Sequence, residues 1–74
     1  MSDLRIESAP RLTQREIEVL RFIAHGSTYE KAAVQLGISA HTVASHIKNI
    51  YRKLQVHTAG AAVMRAVDLH LLAS

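Results

Sequence analysis

The sequence predicts an all-α domain of four helices, and three observations carry that expectation. Apolar residues recur at three- and four-residue spacing along several segments, the period of a helix with one buried face. No run alternates apolar with polar residues between turn-forming clusters, as a half-buried strand would. Thr13, Thr28, Ser39 and Thr58 each stand just before a periodic segment, where a hydroxyl can accept from the free amides of a first helical turn. At 74 residues the chain makes one small domain, whose modest core gains from a partner.

Residues 1–11 read as an arm or linker, and residues 12–74 as the domain. The arm mixes charge, Ser and Ala without a sustained period and reaches Pro10. Thr13-Gln14-Arg15-Glu16 then fits a capping box, with Leu12 placed to pack on Ile17 as a staple. Ile17, Leu20, Ile23 and Ala24 recur at helical spacing, and Val19 and Phe22 widen the stripe. Gly26 supplies a left-handed stop, so the first helix is predicted over 13–25.

Thr28 opens a short second helix containing Ala32, Ala33 and Leu36, and Gly37 ends it. Ser39 caps a third helix over 40–54. His57-Thr58 breaks the chain again, and a fourth helix is predicted over 59–71.

Composition narrows the function. Cysteine is absent, which excludes disulfides and thiolate metal sites. No apolar run approaches the length of a membrane span or a signal peptide core, so a cytoplasmic protein is the expectation. The net charge of +3 is unevenly spread: between Lys31 and Val67 there is no acid, while Lys48, Arg52, Lys53 and Arg65 fall within that window. Such asymmetry favours a polyanionic partner, although a merely solvated basic face would look similar.

Only Gly37-Ile38-Ser39 separates the second helix from the third, which suits two helices meeting steeply across a tight turn. In that helix-turn-helix reading Ala33 permits close approach, Gly37 takes a positive φ without a steric penalty, and Val43 fills the angle between the helices. On a wheel of residues 40–54, Val43, Ile47, Ile50 and Leu54 face inward. Opposite them lie His41, Ser45, Lys48, Asn49 and Arg52, flanked by Thr42, Ala44 and Lys53. A solubilising face would normally carry Glu among its bases. A helix entering the major groove of DNA instead needs donors and short side chains, and carboxylates there would be repelled by phosphate.

The stretch LTQREIEVLRFIAHGSTYEKAAVQLGISAHTVASHIKNIYRKLQV resembles the DNA-binding domain of LuxR-type regulators, the LuxR/FixJ/GerE family. The matching pattern runs from Leu12-Thr13-x-Arg15-Glu16-x-Glu18-Val19-Leu20 through Gly26, Ala33 and Leu36. It continues through Gly37-Ile38-Ser39 to Thr42-Val43-x-x-His46-Ile47-x-x-Ile50-x-x-Lys53-Leu54-x-Val56. The resemblance implies a four-helix domain with the third helix in the major groove and a dimer through the fourth. It further implies a bacterial transcription regulator, either a response-regulator output domain of a two-component system or a freestanding GerE-like protein, positioning or blocking RNA polymerase. Four departures bear on sequence preference rather than fold. Ala44 stands where the family often has Lys, Lys31 where Glu is usual, Gln55 where Gly is common, and Ala59-Gly60-Ala61 replaces a more polar helix start.

The DNA-binding residues expected are Thr28, His41, Thr42, Ala44, Ser45, Lys48, Asn49, Arg52 and Lys53. Lys48, Ser45 and Asn49 are placed to reach the groove, and Ala44 can touch a thymine methyl. Arg52 and Lys53 are placed for backbone contact, with a local role at the helix end an equal alternative for Lys53. Thr28 and Thr42 can serve phosphate through hydroxyls or helix-start amides, although capping is the simpler role for Thr28. The broad apolar arc of helix four suggests a homodimer contact at Ala61, Met64, Asp68 and Leu71.

His41 and His46 are five residues apart and do not align, so no metal is expected. No acid pair, nucleophile–base pair or phosphate loop can be traced, so neither catalysis nor a cofactor is expected. Two alternatives stay open. One is a sigma-factor-like promoter-binding domain, which would not dimerise through helix four. The other is a basic helical module that docks an acidic protein.

Overall fold

A computed structural model of the chain describes residues 11–72. They form α1 (Gln14–Ala24), α2 (Tyr29–Leu36), α3 (Ala40–Leu54) and α4 (Ala59–Asp68), with no strand among the described residues. The all-α expectation is met. The predicted arm, apart from Arg11, lies outside the described residues.

Each helix begins where a hydroxyl predicts it. Thr13 Oγ1 accepts from the Glu16 amide at 3.1 Å, and Glu16 Oε1 accepts in return from the Thr13 amide at 2.8 Å, completing the capping box. Thr28, Ser39 and Thr58 accept from the amides of Lys31, Thr42 and Ala61 at 3.0–3.1 Å. At α2 the reciprocal half of the box is missing, because Lys31 cannot accept.

The ends share one geometry. Gly26, Gly37, Gln55 and His70 all take positive φ, at 85°, 71°, 58° and 61°. In each case the next amide reaches back to a carbonyl five residues earlier: Ser27 to Phe22, Ile38 to Ala33, Val56 to Tyr51 and Leu71 to Ala66, at 2.8–3.0 Å. This Schellman arrangement satisfies carbonyls that the helix leaves open. It also corrects the predicted extent of α4. That helix ends at Asp68 rather than Leu71, because the chain turns through a left-handed His70 and returns Leu72 to the core.

The core gathers Val19 and Leu20 from α1, Ala32 and Ala33 from α2, and Val43, Ile47, Ile50 and Leu54 from α3. Val56, Ala62, Ala66 and Leu72 complete it. Leu12 and Ile17, the predicted staple pair, both pack against it. The alanines of α2 and α4 let those helices approach α3 closely, since interaxial distance follows side-chain size at the contact. α1 and α3 each touch all the other helices, whereas α2 and α4 do not touch one another. α4 therefore meets the helix-turn-helix pair through α3 alone.

Candidate nucleic-acid interface

Burial of Val43, Ile47, Ile50 and Leu54 fixes the rotation of α3 about its axis. That rotation turns His41, Ser45, Lys48 and Arg52 outward, and all four are exposed. They follow one another at steps of four, three and four residues, so they form one continuous row about 16 Å long. Ala44 and Asn49 flank the row and are half-buried. α3 contains no acid, and no carboxylate among the described residues pairs with Lys48.

Several of the expected residues make hydrogen bonds within the protein. Thr42 is half-buried with Oγ1 2.9 Å from Ser39 Oγ, so its hydroxyl belongs to the cap of α3. Thr28 is exposed, but its hydroxyl caps α2. Arg52 Nη2 donates to Asn49 Oδ1 at 3.0 Å. Lys53 does not lie in the outer row; its ammonium donates to Glu16 Oε1 at 2.8 Å, against α1.

Glu16 is a residue whose full role the sequence did not disclose. It reads locally as half of a capping box, yet its side chain reaches across the fold to Lys53, 37 residues later. At 3% exposure it is the one buried charged residue among those described. Burial pushes the Glu16 carboxyl upward. The Lys53 hydrogen bond, the Thr13 amide, the charge of Lys53 and the Thr13 hydroxyl outweigh burial and hold it below its ordinary value. Arg65 is a second such residue: its Nη1 donates at 3.3 Å to the carbonyl of Leu54, tying α4 to the last turn of α3.

On α4, Ala61, Met64 and Asp68 are exposed at three- and four-residue steps on one side, with Met64 69% exposed. Leu71 does not continue that helical face. It follows the left-handed turn at His70, is half-buried and packs against the core.

Two shallow hollows of about 330 and 530 Å³ flank Phe22 between α1 and α2. None of the expected DNA-binding residues lines either one. Among the described residues no group of three or more His, Asp or Glu comes together as a metal site, and no helix is long and apolar enough to cross a membrane.

Comparison with known proteins agrees with this geometry. Residues 10–66 match the family described as bacterial regulatory proteins, luxR family. The HTH-type transcriptional activator RamA of Corynebacterium glutamicum is 39% identical over 66 residues, which cover 89% of this chain and 24% of RamA. A nitrate/nitrite response regulator protein homolog of Haemophilus influenzae is 51% identical over 53 residues, covering 72% of this chain and 26% of that protein. The chain thus spans about a quarter of the length of these relatives. Among solved structures, the response regulator ChrA of a heme-sensing two-component system superposes with a TM-score of 0.81 at 34% identity, over 92% of this chain and 34% of ChrA. RamA and other relatives, such as ExpR of Dickeya dadantii, are transcriptional activators, in keeping with the expectation of a non-enzymatic protein. With four capped helices, a three-residue turn before α3 and a family match over most of its length, this chain belongs to the luxR family of bacterial regulatory proteins.

Proposed function

We propose that this chain binds duplex DNA sequence-specifically as a homodimer, with α3 lying in the major groove and α4 joining the two copies. The observation that carries this reading is the exposed, acid-free row His41–Ser45–Lys48–Arg52 on a helix whose opposite face is locked in the core. A helix is the right width for the major groove, and Lys48 at the centre of the row is a point-charge donor for guanine acceptors or phosphate. Ala44 offers a methyl surface on one flank, and Asn49 with Arg52 offers donors on the other. In this reading Thr28 and Thr42, at the starts of α2 and α3, border the phosphate backbone. Lys53 supports the interface from the side of α1.

Ala61, Met64 and Asp68 form the contact face on α4, with Leu71 beside it on the following turn. Gly60 and Ala61 are small enough to let two α4 helices approach closely. Such a dimer reads a two-fold related site in cytoplasmic DNA, and in doing so positions or blocks RNA polymerase.

Selection of bound sequences from random duplex DNA at two salt concentrations tests the proposal. Enrichment of a two-fold symmetric motif supports it, and abolition of that binding by Lys48→Glu places α3 in the groove. Binding without enrichment that collapses as salt rises would reject it in favour of a non-specific basic face. Full affinity in Lys48→Glu would remove α3 from the groove.

A further inference from the structure

Glu16 and Lys53 join the first turn of α1 to the last turn of α3, and the geometry of that junction has a consequence for recognition. Glu16 Oε1 accepts from both the Thr13 amide and the Lys53 ammonium, each at 2.8 Å. The carboxylate is almost wholly buried, where a charge is tolerated only if it stays paired and hydrogen-bonded. Withdrawing Lys53 toward a phosphate would strip Glu16 of its sole cationic partner among the described residues. Lys53 also leaves α3 at about 140° from Lys48, five residues at about 100° each. Its stem therefore lies on the side facing α1, away from the centre of the outer row.

We propose that Lys53 is a positioning residue for base discrimination: tied to Glu16, it fixes the rotation of α3 and does not neutralise a phosphate. The inference rests on the duplex-DNA reading above. The magnitudes favour a role in discrimination. At a side-chain radius of about 6 Å, a rotation of α3 by about 10° moves the tips of the outer row by about 1 Å. Such a shift spoils directional hydrogen bonds to base edges while leaving long-range attraction to phosphate nearly intact. Glu16, which points into the fold, is then required for recognition although it carries the wrong charge for DNA.

The test uses the full 74-residue chain. Its probes are the duplex enriched from random sequence and a scrambled duplex of the same composition. Lys53→Met, Lys53→Arg, Glu16→Gln and the double variant Glu16→Gln/Lys53→Met are compared with wild type. Affinity is measured against salt, and folding is followed by circular dichroism. Lys53→Met and Glu16→Gln are expected to lower the ratio of enriched to scrambled affinity roughly tenfold, the size of one weakened base contact. The logarithmic salt slope should stay at its wild-type value, and Lys53→Arg should largely restore the ratio. Should Lys53→Met fail to fold because it strands the Glu16 charge, Glu16→Gln and the double variant carry the same test.

A salt slope shallower by about 0.9 in the Lys53 variants, with Glu16→Gln binding normally, would make Lys53 a phosphate contact and overturn the proposal. An unchanged affinity ratio in folded Glu16→Gln would reduce the pair to a stabilising one and overturn it equally. If the wild-type chain enriches no sequence, the underlying DNA reading fails first, and the two failures are told apart.

Discussion

Arg52 Nη2 donates to Asn49 Oδ1 at 3.0 Å on the outer side of α3. Arginine has no acceptor, so the amide oxygen must be the atom it meets, which leaves Asn49 its NH₂ group and one further lone pair to offer. An asparagine reads adenine by accepting from N6 and donating to N7 together. With its oxygen already held by Arg52, Asn49 must share or give up that bond to make the pair. It should act with Arg52 as a clamp on backbone phosphate. Asn49→Ala is therefore expected to weaken binding to all duplexes alike, severalfold, without changing the preferred bases. Lys48→Ala, by contrast, should relax the preference at one position. Repeating the sequence selection with both variants checks this, and an altered adenine preference in Asn49→Ala would count against the clamp.

The parts of this fold legible in the sequence are the local ones. Thr13, Thr28, Ser39 and Thr58 announce helix starts because a cap needs only a hydroxyl three residues from a free amide. Gly26 and Gly37 announce two left-handed ends. Gln55 and His70 adopt the same conformation without the residue type that signals it, so α4 reads three residues too long: Leu69 and Leu71 continue an apolar spacing through what is a turn. The outer row of α3 was legible because Val43, Ile47, Ile50 and Leu54 fix its rotation. What each polar group does with its hydrogen bonds was not. The pairing of Lys53 with Glu16 and of Arg65 with the Leu54 carbonyl depends on which helices meet, a tertiary fact that no local spacing encodes.

The left-handed end of α3 gives a stability prediction. Gln55 sits at φ 58° with an exposed side chain, so it bears the cost of that conformation without a packing return. Gln55→Gly should stabilise the domain by about 0.5–1 kcal/mol, raising the thermal midpoint by several degrees. Gly37→Ala is the mirror experiment. Its added Cβ meets nothing within 4 Å, so any loss of stability there reports backbone strain at φ 71° and not a clash. Thermal melts of the two variants should move in opposite directions, and a destabilised Gln55→Gly would show that Gln55 does more than cap.

Acid should loosen the junction between α1 and α3. The Glu16 carboxyl is held below its ordinary value of 4.5 in the folded chain. A group depressed in this way contributes stability above its unfolded value and loses it as pH falls through the folded one. The stability gap between wild type and Glu16→Gln should therefore be open near neutral pH. It should narrow as pH falls below 4.5 and through the lower folded value, because protonated Glu16 resembles Gln. Urea unfolding of both proteins across that range measures the gap. A gap of constant width would mean that the charge of Glu16 contributes nothing and only its shape matters.

Met64 isolates dimerisation from folding. It is 69% exposed and lies between Ala61 and Asp68 on the side of α4 turned away from α3, so replacing it disturbs no core packing. Met64→Arg should place like charges face to face across a two-fold contact and desolvate both. The variant is expected to keep its thermal midpoint and its affinity for an isolated half-site. Affinity for the full two-fold site should fall about a hundredfold or more, because the second half-site no longer binds at high effective concentration. Sedimentation equilibrium on and off DNA, beside titrations of half and full sites, measures both quantities. Full-site affinity that survives Met64→Arg would move the contact off this face of α4.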